Sequence, residues 1–261
     1  MKKHYLTLDS FRGLCACIVA LSHFNGNSIF NGSPLLDRGS IYVDFFFVLS
    51  GFVIFANYEE KLRSGYSIGK FALLRLGRLY PLHFFVLMAF IGIDLLQMVV
   101  HVDGAALFKP FSAPGEGIGA IIANVFLVHS LHILDTLAFN GPSWSISVEF
   151  YTYILFALIL AYTGKYCKTV IVLAAFGCAV ALYFLCGELY AKLDFGFLRC
   201  VYGFSCGALT WEIYQKFDTH FKPLLQNKIT IGAIEVSLFS AVVFYISFFS
   251  FDALSLFAPV I

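Results

Sequence analysis

Residues 5–24 read YLTLDSFRGLCACIVALSHF, and this stretch decides the fold. Its 20 residues are mostly apolar, and an α-helix needs about that many to cross a hydrocarbon core roughly 30 Å thick. Within it stand Arg12 and His23, eleven residues apart. At about 100° and 1.5 Å per residue, eleven steps make almost three whole turns, so both side chains share one helix face, roughly 16 Å apart along the axis. Ionisable groups inside a membrane helix are costly and by default face a functional interior. The pair therefore points to a membrane enzyme or a transporter.

Working outward, further apolar runs of spanning length occupy 41–57, 79–100, 144–163, 168–187, 197–215 and 229–250, and another begins near 253. The composition agrees: 60% of residues are hydrophobic and 13% charged, against about 25% charged in a soluble domain. The expected fold class is all-α, a polytopic transmembrane helical bundle forming a single domain over residues 1–261, with seven or eight spans. The last run reaches Ile261 with no polar flank, so the domain is expected to be C-terminally incomplete. Asp9 and Arg12 interrupt the apolar core that a signal peptide would need, so the first helix is read as uncleaved. Seven cysteines form no CxxC pair and lie in or beside apolar runs, which reads as packing rather than a disulfide framework or a metal site.

Charge sets the expected topology. Lys2 and Lys3 place the N-terminus in the cytoplasm, and Lys61, Arg63, Lys70, Arg75 and Arg78 place 58–78 there too. Segment 118–134 is ambiguous. If it spans fully, Lys165, Lys168, Lys216, Lys222 and Lys228 fall outside; if it lies in the outer interface or dips back, all five fall inside, which suits the charge rule better. His23, Asp44 and Glu149 then sit toward the outer side, and Arg12, Arg75 and Arg78 toward the cytoplasm.

His23 can act as a general base because imidazole titrates near neutrality. Asp44 or Glu149 could fix its tautomer and stabilise the imidazolium; an interfacial histidine capping a helix end is the plainer alternative. Arg12 suits a phosphate, which guanidinium meets bidentately, or a local pair with Asp9 three residues earlier. Arg75 and Arg78 precede a helix expected to begin at Pro81, and they read equally as a phosphate site or as a positive-inside anchor. In Asn140-Gly141-Pro142-Ser143-Trp144-Ser145-Ile146-Ser147-Val148-Glu149 a turn leads into a helix. Ser143 or Ser145 could cap it, and Glu149 gains from its dipole. Those roles leave an acid inside an apolar span unexplained. His129 and His132, with Asp135, lack metal-ligand spacing and read as interfacial polar residues. No P-loop, GxGxxG, zincin box or nucleophile elbow is present, and no basic face offers itself to nucleic acid.

Taken in order, Leu8-Asp9-Ser10-Phe11-Arg12-Gly13 with His23, then Asp44 to Phe52, Arg75 to Pro81 and Ser143 to Glu149 resemble the acyltransferase-3 family; Arg199 with Gly203-Phe204 and Gly207 extends the match more weakly. The resemblance implies transfer of an acyl group, usually acetyl, from cytoplasmic acyl-CoA to a hydroxyl on an extracytoplasmic glycan or glycolipid, with acyl-CoA as co-substrate and no other cofactor. It implies about ten spans and a bacterial inner membrane. By position, His23, Asp44 and Glu149 become catalytic, Arg12, Arg75 and Arg78 bind acyl-CoA, and Trp144, Ser145 and Ser147 meet the acceptor. Direct transfer and a ping-pong route through an acyl-enzyme are both compatible with these residues. A transporter or proton-coupled channel would use the same intramembrane groups, but the repeated halves typical of transporters are not found.

Overall fold

The computed structural model describes residues 6–23, 33–99, 111, 117–187, 189, 191–221, 228–248 and 253–260. Lys2, Lys3 and Lys222, with much of the expected loops 25–40 and 101–143, lie outside the described residues. All regular structure in the described residues is helical: α1 (Leu6–Ser22), α2 (Pro34–Asp37), α3 (Tyr42–Arg63), α4 (Ile68–Val99), α5 (Ile118–Val125), α6 (Trp144–Tyr162), α7 (Cys167–Cys186), α8 (Gly196–Phe221) and α9 (Lys228–Phe248), with short 3-10 turns between several of them. The protein is an all-α, polytopic membrane protein. Among the described residues four segments are long and apolar enough to cross a bilayer: Gly39–Arg63, Ile68–Met98, Gly141–Tyr162 and Gly164–Cys186.

Several expected boundaries shift. The helix expected to start at Pro81 begins at Ile68 and carries Pro81 in its interior. A proline removes one backbone hydrogen bond and crowds the carbonyl four residues back. Membrane helices tolerate this where neighbouring groups re-satisfy the backbone, and here the residue four back is Gly77. Arg75 and Arg78 consequently lie on a helix, not in a connection. Within 118–134 only the eight residues of α5 are helical, about 12 Å at 1.5 Å per residue, too short to span. Expected spans 5–24, 197–215 and 229–250 form helices α1, α8 and α9 but fall outside the four. α1 has 17 residues, or about 26 Å. Glu212 and Lys216 add charge to α8, and in α9 the apolar stretch found is the shorter Gly232–Val242. The run near 253 is a short 3-10 helix, Ala253–Phe257.

The chain divides into two compact units. The first comprises residues 1–60, 166–190 and 201–261. Here α3 and α8 approach so closely that a Cβ built on Gly207 would lie 1.8 Å from the Val48 carbonyl oxygen, and one on Gly51 would lie 2.1 Å from that of Phe204. Small residues at a helix crossing let backbones meet where no hydrophobic drive separates helix from lipid. Phe52 packs edge-on against Trp211 with ring centroids 5.4 Å apart, while Lys168 of α7 pairs with Glu212 of α8. A smaller core joins Cys15, Ile41 and Tyr42 to Ile18, Val19, Phe45, Phe46, Val242 and Tyr245. α7 stops at Gly187, whose φ of 70° is the left-handed conformation a helix C-terminus favours.

The second unit comprises residues 61–165 and 191–200. α4 and α6 pack side by side around Phe71, Leu87, Phe156, Ala157 and Leu160, all buried. Phe71 meets Tyr153 edge-on at 6.3 Å. Elsewhere α4 carries exposed Leu73, Leu82, Phe85, Leu96 and Met98, an apolar surface suited to lipid.

Candidate active site

In the first unit, His23 stands just past the end of α1, its N–H bonded to the Ala20 carbonyl. The neighbouring Ser22 packs over Gly39, where any Cβ would lie 2.2 Å from Ser22 Oγ. This contact seats the end of α1 at the start of the 3-10 turn leading into α3, and Asp44 follows within the first turn of α3. His23 and Asp44 thus belong to the same end of the same unit, as the sequence suggests. Their burial differs: Asp44 is 1% exposed, whereas His23 is exposed.

The tautomer of His23 follows from its partner. Nδ1 lies 2.8 Å from the Val19 carbonyl oxygen. A carbonyl only accepts, so Nδ1 carries the hydrogen and Nε2 keeps its lone pair. Ser22 Oγ donates to the same carbonyl at 2.8 Å and lies 3.3 Å from Nδ1. The group that orients His23 is therefore a backbone carbonyl, where the sequence suggested a carboxylate. Arg12 adopts the local alternative: Nη1 donates to Asp9 Oδ1 at 3.3 Å, with the two side chains 35% and 47% exposed. Exposed pairs of this kind are worth little, so the guanidinium exchanges partners at low cost.

In the second unit, the segment Ser143 to Glu149 is an anchor for α6. Ser143 Oγ donates to the Asn140 carbonyl at 2.7 Å, and Ser145 Oγ to that of Pro142 at 3.2 Å. The serines point back into the turn and do not cap the helix. Ser147 Oγ donates to the Leu127 carbonyl and accepts the Ser130 N–H at 3.3 Å. Trp144 is buried, with the Arg199 guanidinium 5.2 Å from its ring centroid and Gly196 close enough that a Cβ there would lie 3.3 Å from the ring. Trp144 and Ser147, expected at the acceptor, are thus buried against protein partners. Ser145 and Glu149 are half-exposed, and Glu149 accepts the Tyr153 hydroxyl. On α4, Arg75 is half-buried beside the Phe71 ring, and Arg78 is exposed.

Among the buried polar side chains of this unit, His83 escaped the sequence reading and His129 was misplaced by it. His129, expected at an interface, is 4% exposed, and its ring stacks on that of His83 at 5.5 Å and 1°. His129 Nε2 lies 3.2 Å from the Ser143 carbonyl oxygen and 3.1 Å from Ser143 Oγ. The carbonyl requires a donor and the serine hydroxyl is already donating to Asn140, so Nε2 carries the hydrogen. The contact is not an activated serine–histidine dyad. Burial first, then the neighbouring His83, push His129 down to about 4, against the opposing pull of the Ser143 and Ala123 carbonyls. His83 Nε2 donates to the Asn124 carbonyl at 3.0 Å, and Arg199 Nη1 donates to that of Ala191 at 3.1 Å. The signal available for His83 was an ionisable residue inside an apolar run. His132, in the left-handed region at φ 61°, faces Asp194 at 3.8 Å, and both are exposed. No group of three or more potential metal ligands occurs among the described residues.

Comparison with known proteins identifies the family. The family model described as an acyltransferase domain matches residues 5–261. "Protein 2 in picA locus" of Rhizobium radiobacter is 30% identical over 155 residues, covering 56% of this chain and 78% of that protein. "Acyltransferase MdmB" of Streptomyces mycarofaciens is 33% identical over 148 residues, covering 55% of this chain and 34% of its own length. No solved structure matches. With the match running from residue 5 to residue 261 across helices that carry Arg12, His23, Asp44 and Glu149, the chain belongs to the acyltransferase-3 family and is a membrane acyltransferase.

Proposed function

We propose that the protein is an O-acyltransferase of a bacterial cytoplasmic membrane, N-terminus in the cytoplasm, that moves an acyl group, acetyl first, from acyl-CoA to a hydroxyl of an extracytoplasmic carbohydrate or glycolipid. One observation carries this reading: His23 has Nδ1–H tied to the Val19 carbonyl and Nε2 free as a base, exposed at the end of α1. In the reaction, Nε2 takes the acceptor hydroxyl proton as the oxygen attacks the thioester carbonyl. The carbon–sulfur bond then breaks, the CoA thiolate takes the proton back from the imidazolium, and an ester remains. Asp44 supplies negative charge at that end of the unit to stabilise the imidazolium, while Arg12, about 16 Å down α1, offers a guanidinium to the donor phosphates. Arg75, Arg78 and Glu149, in the other unit, are assigned by chemistry alone: the arginines to phosphate, the acid to the reacting groups. Ser145, half-exposed, is the serine of its motif left to meet the acceptor, with Trp144 and Ser147 shaping the helix that carries it.

The test supplies labelled acetyl-CoA to the cytoplasmic face of sealed membrane vesicles holding the protein. Label should appear as an alkali-labile ester on carbohydrate at the opposite face. Arg75→Ala and Arg78→Ala should raise KM for acetyl-CoA, whereas His23→Ala should lower kcat. Label recovered only as free acetate or on protein would sink the acceptor assignment.

A further inference from the structure

His83, Asn124, His129 and Ser130 are buried polar residues of the second unit that the proposed reaction does not use. They are 2%, 1%, 4% and 1% exposed. His83 Nε2 donates to the Asn124 carbonyl and the two imidazoles stack at 5.5 Å, while Ser130, next to His129 in the chain, is held by its N–H to Ser147 Oγ. Asn124 Nδ2 is occupied, donating to the Ala120 carbonyl at 2.9 Å. What remains is one orphan atom on each residue. His83 Nδ1, His129 Nδ1, Asn124 Oδ1 and Ser130 Oγ have no hydrogen-bond partner among the described residues.

The tautomers decide what those atoms want. Both Nε2 atoms face carbonyls and so carry the hydrogens, which leaves both Nδ1 atoms as lone-pair acceptors. Asn124 Oδ1 is a third acceptor, and only Ser130 Oγ can donate. The Ala123 carbonyl, which also pulls His129 upward, accepts the Val128 N–H at 2.8 Å and is not in hydrogen-bonding geometry with His129 Nδ1. Three acceptors and one hydroxyl cannot satisfy one another. Buried polar groups are almost always paired, with protein or with ordered water, and leaving several bare would consume much of a domain's net stability. A cation held by two imidazole lone pairs would need further ligands that the described residues do not gather.

We propose that these four side chains line a buried hydration site, whose ligand is water acting as hydrogen-bond donor to the two Nδ1 atoms and Asn124 Oδ1. The site joins α4 and α5 to the segment that bonds Ser143 and Ser147, so bound water becomes part of what positions the start of α6. Internal waters of this kind make about three hydrogen bonds each and are costly to remove. The site rests on the geometry of this unit and is independent of the acceptor proposed above.

The test is magic-angle-spinning NMR on the full chain in lipid nanodiscs with 15N-histidine, following polarisation transfer from water protons to ring nitrogens. His83→Phe and His129→Phe assign the signals. Expected are two unprotonated Nδ1 resonances that receive polarisation from water protons even when bulk water is suppressed, with transfer to each reduced at least twofold in Asn124→Leu. Nδ1 resonances without transfer, or bearing their own hydrogen, overturn the proposal. Should the variants fail to fold, a high-resolution map of the unaltered protein decides. Density within hydrogen-bond distance of at least two of the four atoms supports the site, continuous protein packing there overturns it, and density removed by a chelator overturns it in favour of a metal.

Discussion

The α3–α8 crossing offers the sharpest stability prediction. An alanine at Gly207 would put its Cβ 1.8 Å from the Val48 carbonyl oxygen, 2.7 Å from its carbon and 2.8 Å from the Phe52 nitrogen. Carbon and carbonyl oxygen settle at about 3.3 Å, so the two backbones must separate by about 1.5 Å. A gap of even 0.5–1 Å forfeits roughly a quarter to a half of each dispersion contact, and those at risk include Phe47, Gly203 and the Phe52–Trp211 pair. Overpacking usually costs about 1–3 kcal/mol, and with backbone on both sides Gly207→Ala belongs at the top of that range, about 3 kcal/mol. For a chain of this size that lowers Tm by about 6–12 °C. Gly177→Ala on α7 is the control, since nothing lies within 4 Å of its Cβ, and relieving a helix glycine stabilises by up to about 1 kcal/mol. The assay heats detergent-purified protein and follows the monodisperse fraction by fluorescence-detected chromatography. Equal melting of Gly207→Ala and the unaltered protein would refute the crossing.

Arg199→Ala removes the guanidinium over Trp144 and its bond to Ala191, at a cost of about 2–4 kcal/mol. With Trp211→Phe as background, Trp144 emission should shift red as water reaches the ring; an unchanged spectrum counts against the packing. His129 has its folded value below its unfolded value, so its contribution is complete above about pH 6.5 and shrinks as acid drives the proton onto the unfolded form. With a folded value of about 4, about 2.5 kcal/mol is lost between pH 7.5 and 4.5. His129→Gln should flatten that dependence in melts at the two pH values, and an equally steep fall in the variant would remove His129 as its source. Lys168→Ala breaks the exposed end of the Lys168–Glu212 pair and should cost no more than about 1 kcal/mol; a larger fall in the same melts would mean that α7 depends on it.

What the sequence made legible was governed by hydropathy and spacing. Long apolar runs found the helices, and the Arg12-to-His23 interval found two groups that α1 and the residue after it carry. The charge-based topology also put Asp44, at the start of the next span, at the same end as His23. Partners were harder. Asp9 pairs with Arg12, one of the two readings its spacing allowed, whereas Val19, through its backbone carbonyl, holds His23 where a carboxylate was expected. Trp144 and Ser147 look like ligand-binding residues in one dimension, yet Arg199 and Leu127, distant in sequence, cover them. Pro81 misled because breaker rules learned in water give too little weight to a helix that a bilayer enforces. His83 and His129 are 46 residues apart, and nothing in their local patterns foretold a stacked pair.

The central claim is that His23 Nε2 is the base in acyl transfer. The direct measurement compares acetyl transfer from labelled acetyl-CoA to surface glycan in membranes carrying equal amounts of the unaltered protein and His23→Ala. Loss of a general base costs about 10²–10⁴-fold, so the account predicts transfer reduced at least about 100-fold in the variant. Transfer that continues undiminished in His23→Ala would contradict it.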